Sequence, residues 1–284
     1  MCGRYASVRK RIELLEEFSV QRDTVSEPLA PDYNVAPTKP VYAVLTRTAV
    51  RDDDDDAASA QAGAEPDGDG RTPERQLRVL RWGLVPFWAK DVKIGSRMIN
   101  ARAETLGEKP AFRRAFAKRR CLLPADGYYE WQKEPGGAKQ PIYISRSDGR
   151  PLAFAGLYEL WRDGAVPPDD RDAWLWTTTI ITTSAPDELG MIHDRMPMII
   201  EPERWSDWLD PGNSEVADLK SLLNPAAATG LTTYAVSTEV NSVRNNGPRL
   251  IEPVSAGPPA SLSAAASGAA GAAGFADDGT GVLF

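Results

Sequence analysis

The chain is poor in the residues that build metal sites and disulfides. It holds one histidine and two cysteines among 284 residues, so neither a disulfide framework nor a zinc-ligand spacing is available to it. No stretch reaches the eighteen apolar residues that a membrane-crossing helix needs, and the start lacks the basic-then-apolar layout of a secretory leader. These absences point to a cytoplasmic protein with organic chemistry, no metal, no other cofactor and no membrane contact. The 42% hydrophobic content and a mean hydropathy of −0.37 are those of an ordinary globular chain, long enough for one large core.

The net charge of −7 is unevenly spread. Residues 51–75 carry nine acids and three arginines, and the tail beyond 254 adds Asp277 and Asp278. The remainder is close to neutral, and within it residues 81–120 hold eleven Lys and Arg against three acids. A locally basic face on a near-neutral body suits a phosphate-binding surface, and equally a solvated helix flank.

Apolar periodicity predicts a helix over Arg9–Phe18, where Ile12, Leu14, Leu15 and Phe18 recur at helical spacing. Strands are expected over Val41–Thr46, Gln76–Trp82, Arg120–Pro124, Gly127–Trp131, Ile142–Ser145, Leu152–Leu160, Trp174–Thr183 and Thr232–Val236. Shorter helices are expected over Lys109–Lys118, from Ala185–Leu189 to an end near His193, and within Glu203–Leu209 and Lys220–Leu223. Many short strands with few helices give an α+β fold: one domain, 1–254, with a curled, barrel-like, mainly antiparallel sheet. The acidic, Gly/Ala-rich stretch 51–75 cannot supply a core, so it reads as a disordered insert between two strands that pair directly. The Ala/Gly-rich segment 255–284 reads as a disordered tail.

The start of the chain, Met1-Cys2-Gly3-Arg4-Tyr5, has a chemistry of its own. Once Met1 is removed, one residue carries an α-amine and a thiol on adjacent carbons. The amine condenses with an aldehyde to an imine, and the thiol closes onto it as a thiazolidine. An α-amine titrates near pH ~8 and a thiol near ~8.5, so both are partly nucleophilic at neutral pH.

Other side chains admit two readings each. Glu130, between Tyr129 and Trp131, is either a half-exposed strand residue or a carboxyl raised by its aromatic neighbours into general acid–base range. His193 is either a hydrogen-bonded structural residue or a proton-transfer group with Asp194 and Arg195 beside it. Asn100 either closes a turn or positions another group. Arg102 and Arg4 are either phosphate forks or surface ion pairs, Arg102 with Glu104 or Glu108. Trp82, Pro86, Phe87 and Trp88 are either core or a stacking platform for bases. Cys121 reads as a buried structural thiol.

Six strings occur in one chain and in order: MCGRY, YNVAPT, WGLVPFWA, INARAET, CLLPADGYYEW and IHDRMP. Together they resemble the SOS-response-associated peptidase (SRAP) family, proteins that shield abasic sites in single-stranded DNA, over residues 1 to about 253 and outside the insert and tail. The resemblance implies a covalent thiazolidine crosslink between Cys2 and an abasic site, with Cys2 exposed by autoproteolysis or an aminopeptidase. It gives Glu130 the proton shuttle, His193 the opening of the deoxyribose ring and crosslink reversal, and Asn100 the placing of Cys2. It further implies DNA contacts through Arg4, Asn34, Pro37, Trp82, Pro86, Trp88, Arg102 and Arg195. The expected partner is single-stranded DNA with abasic sites, met by a monomer at the nucleoid when DNA is damaged. A cysteine peptidase acting on other proteins and a non-covalent single-strand binder are the alternatives, and the acidic insert is expected to point away from the DNA groove.

Overall fold

The computed structural model describes residues 2–48, 72–167, 170, 173–223, 230–254 and 260–261. Its strands are β1 (Tyr5–Ser7), β2 (Arg22–Asp23), β3 (Asp32–Val35), β4 (Pro40–Thr48), β5 (Pro73–Trp82), β6 (Asn100–Arg102) and β7 (Arg120–Ala125). They continue with β8 (Gly127–Lys133), β9 (Lys139–Arg146), β10 (Leu152–Arg162), β11 (Trp174–Ser184), β12 (Arg195–Pro197), β13 (Leu231–Ala235) and β14 (Ala260–Ser261).

Strands β11, β10, β7, β4 and β5 neighbour one another antiparallel, and a short parallel contact, Thr177 with Arg81 and Thr178 with Trp82, joins β5 back to β11. The sheet therefore closes into a five-stranded barrel, which leaves no open edge along that ring. A second sheet, in the order β14-β13-β9-β8-β1-β3, packs beside it. The expected barrel-like α+β architecture is present.

Period-2 alternation sorts the core. One face of the barrel strands (Val41, Ala43, Leu45, Leu80, Trp82, Leu123, Ile180) joins Tyr5, Tyr128, Ile142 and Ile144 of the second sheet in one cluster. The other face (Tyr42, Val44, Leu77, Leu122, Leu157, Ile181) is covered by Leu14, Phe18, Phe116, Trp205, Trp208 and Leu219 from short helices. The first of these helices, Arg11–Glu17, turns Leu14 inward, and its Glu13 carboxylate accepts the Lys10 N–H at 2.7 Å. Buried Arg120 donates to the carbonyls of Phe116, Ala117, Trp208 and Asn213 at 2.6–3.0 Å, tying two helical segments to β7.

Two expected boundaries need correction. Pro73, Glu74 and Arg75 are not part of an insert: β5 begins at Pro73, and its pairing with β4 runs unbroken from Pro40–Arg81 to Thr48–Pro73. Arg75 is held there by the Phe18 carbonyl at 2.8 Å and Ser206 Oγ at 3.1 Å, contacts no local composition reveals. The rest of the expected insert, 51–71, lies outside the described residues. In the expected tail, Ala260 and Ser261 pair with Thr233 and Thr232, because an edge ladder needs only backbone groups. Residues 255–259 and 262–284 lie outside the described residues.

Direct pairing of β4 with β5 makes a testable statement. Replacing 49–72 by a four-residue turn shortens the closed loop about sixfold and should stabilise the fold by on the order of 1–2 kcal/mol. Chemical denaturation measures this; a loss of stability would show that the strand pair depends on the connecting segment.

Candidate functional site

Three residues of β1 anchor the chain start. Tyr5 faces Val35 of β3 on one side and Tyr128 of β8 on the other, and the Tyr129 N–H donates to the Arg4 carbonyl at 3.0 Å. Cys2 is thereby drawn fully under the surface, 0% exposed. Asn100 Nδ2 donates to the Cys2 carbonyl at 2.8 Å. Asn100 itself is placed by β6, which lies parallel to β11 with Asn100 level with Ile180. The preceding Ile99 carbonyl accepts both the Ile180 N–H at 3.1 Å and the Trp82 indole N–H at 2.9 Å. The close approach of the two loop limbs requires glycine: Gly83 sits at φ +125°, and a Cβ there would fall 2.6 Å from the Gly95 carbonyl oxygen.

Glu130 stands on β8 two residues past Tyr128, on the same strand face, and is 4% exposed. Burial pushes its carboxyl up to about 7, while the positive charge of the chain's amino terminus pulls the other way. The Cys2 thiol is pushed well above its ordinary range, first by burial and then by the charge of Glu130. His193 is half-buried, and burial followed by the amino-terminal charge lowers its pKa. Its Nδ1 receives the Arg195 backbone N–H at 3.0 Å, with Asp194 Oδ1 2.8 Å away. The first contact needs a bare Nδ1 and the second a protonated one; the lowered pKa favours the neutral ring with its proton on Nε2. The amino-terminal charge of the unprocessed chain, which still carries Met1, acts on Cys2, Glu130 and His193 alike.

The residues expected to touch DNA divide. Trp88 is 50% exposed, beside Phe87 at 51%, and Arg102 is exposed. A cavity of about 380 Å³ lies against this loop, lined by Trp88, Lys90, Lys93 and Arg97 among others, and not over Cys2. Trp82 and Pro86 are buried, against expectation: Trp82 packs edge-on to Tyr5 at 5.3 Å and spends its one donor on Ile99. Asn34 does not line a pocket either. It is fully buried, and its Nδ2 donates to the carbonyls of Val240, Ser242 and Asn245 at 2.9–3.3 Å.

Arg4 directs its guanidinium to Asn34 Oδ1 at 2.6 Å and the Val240 carbonyl at 2.7 Å, so it is held inside the fold rather than offered to a phosphate. Arg195 forms a two-pronged pair with Glu104 at 2.7 and 3.1 Å and also donates to the Thr182 carbonyl at 2.6 Å. The ion-pair reading considered for Arg102 thus belongs to Arg195. Pro37 is half-buried, next to Thr38 at φ +74°. Cys121 is a buried thiol facing Thr178 Oγ1 at 3.5 Å.

Sequence reasoning gave Phe87 and Arg97 no individual role and passed over the Val240–Asn246 segment, whose Asn-rich polar composition reads as ordinary coil. Among the described residues, no three His, Cys, Asp or Glu side chains cluster as metal ligands, and no helix is long and apolar enough to cross a membrane. The burial difference predicts a sharp contrast. Trp82→Ala should cost about 3–5 kcal/mol of stability, whereas Trp88→Ala should stay within about 0.5 kcal/mol. Equal costs in urea denaturation would contradict these placements.

Comparison with known proteins adds a family. The family model described as SOS response associated peptidase (SRAP) matches residues 1–243. Abasic site processing protein YoqW of Bacillus subtilis (strain 168) is 39% identical over 252 residues, covering 89% of this chain and 99% of YoqW. Abasic site processing protein HMCES of Gallus gallus is 33% identical over 260 residues, covering 84% of this chain and 70% of HMCES. An X-ray structure of a Bacteroides thetaiotaomicron protein superposes with a TM-score of 0.68 at 28% identity, covering 89% of this chain and 99% of that one. One from Bordetella bronchiseptica superposes at 0.61 with 25% identity, covering 83% and 100%.

Proposed function

The chain belongs to the SOS response associated peptidase family, and on that footing we propose that it processes abasic sites in single-stranded DNA, capturing the lesion's aldehyde on Cys2. The observation that carries this reading is the burial of the second residue of the chain, its carbonyl held by Asn100 within the field of Glu130. A second residue with no task has no reason to be clamped this way, since chain ends fray unless tied down.

Removal of Met1, by autoproteolysis or an aminopeptidase, frees the α-amine. The buried Asn100 Oδ1, which has no hydrogen-bond partner among the described residues, is an acceptor on the same side chain that grips the Cys2 carbonyl. His193, with its proton on Nε2, hydrogen-bonds the deoxyribose ring oxygen while the anomeric hydroxyl's proton passes to that oxygen through water, so the hemiacetal opens to the aldehyde with the imidazole left neutral. The amine nitrogen then attacks the aldehyde carbon. The resulting hydroxyl leaves as water with the proton of the Glu130 carboxyl, giving an iminium. The Cys2 sulfur bonds to the iminium carbon while its proton returns to the Glu130 carboxylate. The product is a thiazolidine, and one water is released per crosslink. A carboxyl near 7 suits both halves of this cycle, because it is neither fully protonated nor fully ionised at neutral pH. Trp88 and Phe87, with Lys90, Lys93, Arg97 and Arg102 close in sequence, supply the stacking and cationic surface that a single strand needs.

A peptidase acting on other proteins fits less well. Such an enzyme needs its thiol pKa depressed, and here burial and a neighbouring carboxylate raise it.

Two experiments test the proposal. An oligonucleotide with one abasic site should give a denaturant-resistant shifted band with the wild type and none with Cys2→Ala; a surviving band would refute capture by Cys2. The pH profile of single-turnover adduct formation should rise as the amine deprotonates and fall above about 7 as Glu130 ionises. Glu130→Gln should be slower by about 10²-fold or more and lack the alkaline limb. An unchanged profile would remove Glu130 from the proton cycle.

A further inference from the structure

The segment Thr238–Gly247 is a surface loop held by side-chain hydrogen bonds from distant parts of the chain. Asn34 Nδ2 reaches three of its carbonyls, Val240, Ser242 and Asn245. Arg4 grips Val240 and Asn241 with one guanidinium, and Trp131 Nε1 donates to Asn241 Oδ1 at 2.7 Å. The Tyr33 N–H donates to Asn246 Oδ1 at 2.8 Å, while Asn245 Nδ2 closes the loop on itself through the Glu239 carbonyl at 2.8 Å. The grips from outside the loop come from the MCGRY start, the YNVAPT strand and β8, and both of these strands pair with β1, which follows Cys2 in the chain. Arg4 is the link, since its carbonyl oxygen lies 4.0 Å from Cys2 Sγ while its guanidinium holds the loop.

What the loop presents is not explained by folding. At its tip Val243 is 51% exposed and Arg244 is exposed beside it, an apolar group and a cation side by side on a rigid mount. Satisfied carbonyls leave the loop little freedom, so a contact made by its tip costs little ordering entropy. The same pairing of exposed apolar group and arginine occurs at Phe87–Trp88 with Arg97, on the limbs that lead to Asn100. The first of these mounts is tied to Cys2 through Arg4, and the second leads along the chain to Asn100, which holds the Cys2 carbonyl. A single strand that delivers an abasic sugar to Cys2 continues on both sides of the lesion, and its phosphates need cations on both.

We propose that the Ser242–Asn246 loop is a second single-strand contact, with Arg244 binding a backbone phosphate flanking the lesion and Val243 packing against the adjacent sugar or base. This rests on the reading of Cys2 as the capture site for single-stranded DNA. It also reassigns Asn34 and Arg4: they act through the loop as positioning residues, not as DNA contacts.

The test uses the full chain and a single-stranded oligonucleotide bearing a tetrahydrofuran abasic analogue, which has no aldehyde, so binding is read without crosslinking. Affinity is measured against salt for the wild type, Arg244→Ala, Val243→Ser and the distant Arg150→Ala. Arg244→Ala should weaken binding about 3–10-fold at ~0.1 M salt and lower the salt slope by about 0.7, the signature of one lost phosphate contact on a single strand. Val243→Ser should weaken binding severalfold with the slope unchanged, and Arg150→Ala should change neither quantity. Truncating the oligonucleotide on one side of the lesion, and only that side, should abolish the Arg244 effect. An Arg244→Ala slope and affinity equal to wild type would overturn this inference while leaving capture by Cys2 intact. A wild type that binds no single strand at all would overturn the capture reading as well.

Discussion

The structure depends on how a free chain end is made rigid. Tyr5 is paired on both edges, with Val35 and with Tyr128, and this short ladder pulls Cys2 below the surface. The Asn100 amide then fixes the Cys2 carbonyl from the barrel side, so Cys2 is gripped by both sheets. In the proposed capture, an amine and a thiol that meet one carbon gain most from such placement, because orientation supplied by the fold need not be found during reaction. The closed barrel matters here as a mount: β11 holds β6, β6 holds Asn100, and β12 on the other side of β11 leads back to His193.

Burial does the electrostatic tuning. Glu130 and the Cys2 thiol are both buried enough for their charged forms to be disfavoured, and the charge of Glu130 further raises the cost of ionising the thiol. In the proposed capture, a neutral thiol and a carboxyl near 7 serve as a proton-passing pair rather than an ion pair. The same burial keeps His193 neutral, with Arg195 fixing which nitrogen is bare. The arginine nearest the histidine is in turn held by Glu104, whose carboxyl sits below the usual range through its hydrogen bonds to Arg195.

Much of this was legible in the amino-acid order. The longer strands follow from β-branched and aromatic runs, and the direct β4–β5 pairing from the composition between them. Cys2, Asn100, Glu130 and His193 stand in segments whose residue types already suggest chemistry. What was not legible depends on tertiary partners. An apolar Trp-Gly-Leu-Val-Pro-Phe-Trp run does not say which ring turns inward; Trp82 is core because Ile99 and Tyr5 meet it there, and Trp88 is not. Arg4 and Arg195 look like phosphate forks until Asn34 and Glu104 are seen to occupy them. The parallel closure by Thr177 and Thr178, and the three-residue strands β1, β6 and β12, have no local signature because their pairing comes from residues far away in sequence.

The central claim is that the amine and the thiol of Cys2 both end on one carbon. Peptide mapping of the adduct by mass spectrometry, after thiol alkylation, tests it directly. The account predicts a peptide beginning at Cys2 that carries the abasic remnant with the loss of one water and resists alkylation. A remnant attached elsewhere, or a Cys2 thiol that still alkylates within the adduct, would contradict it.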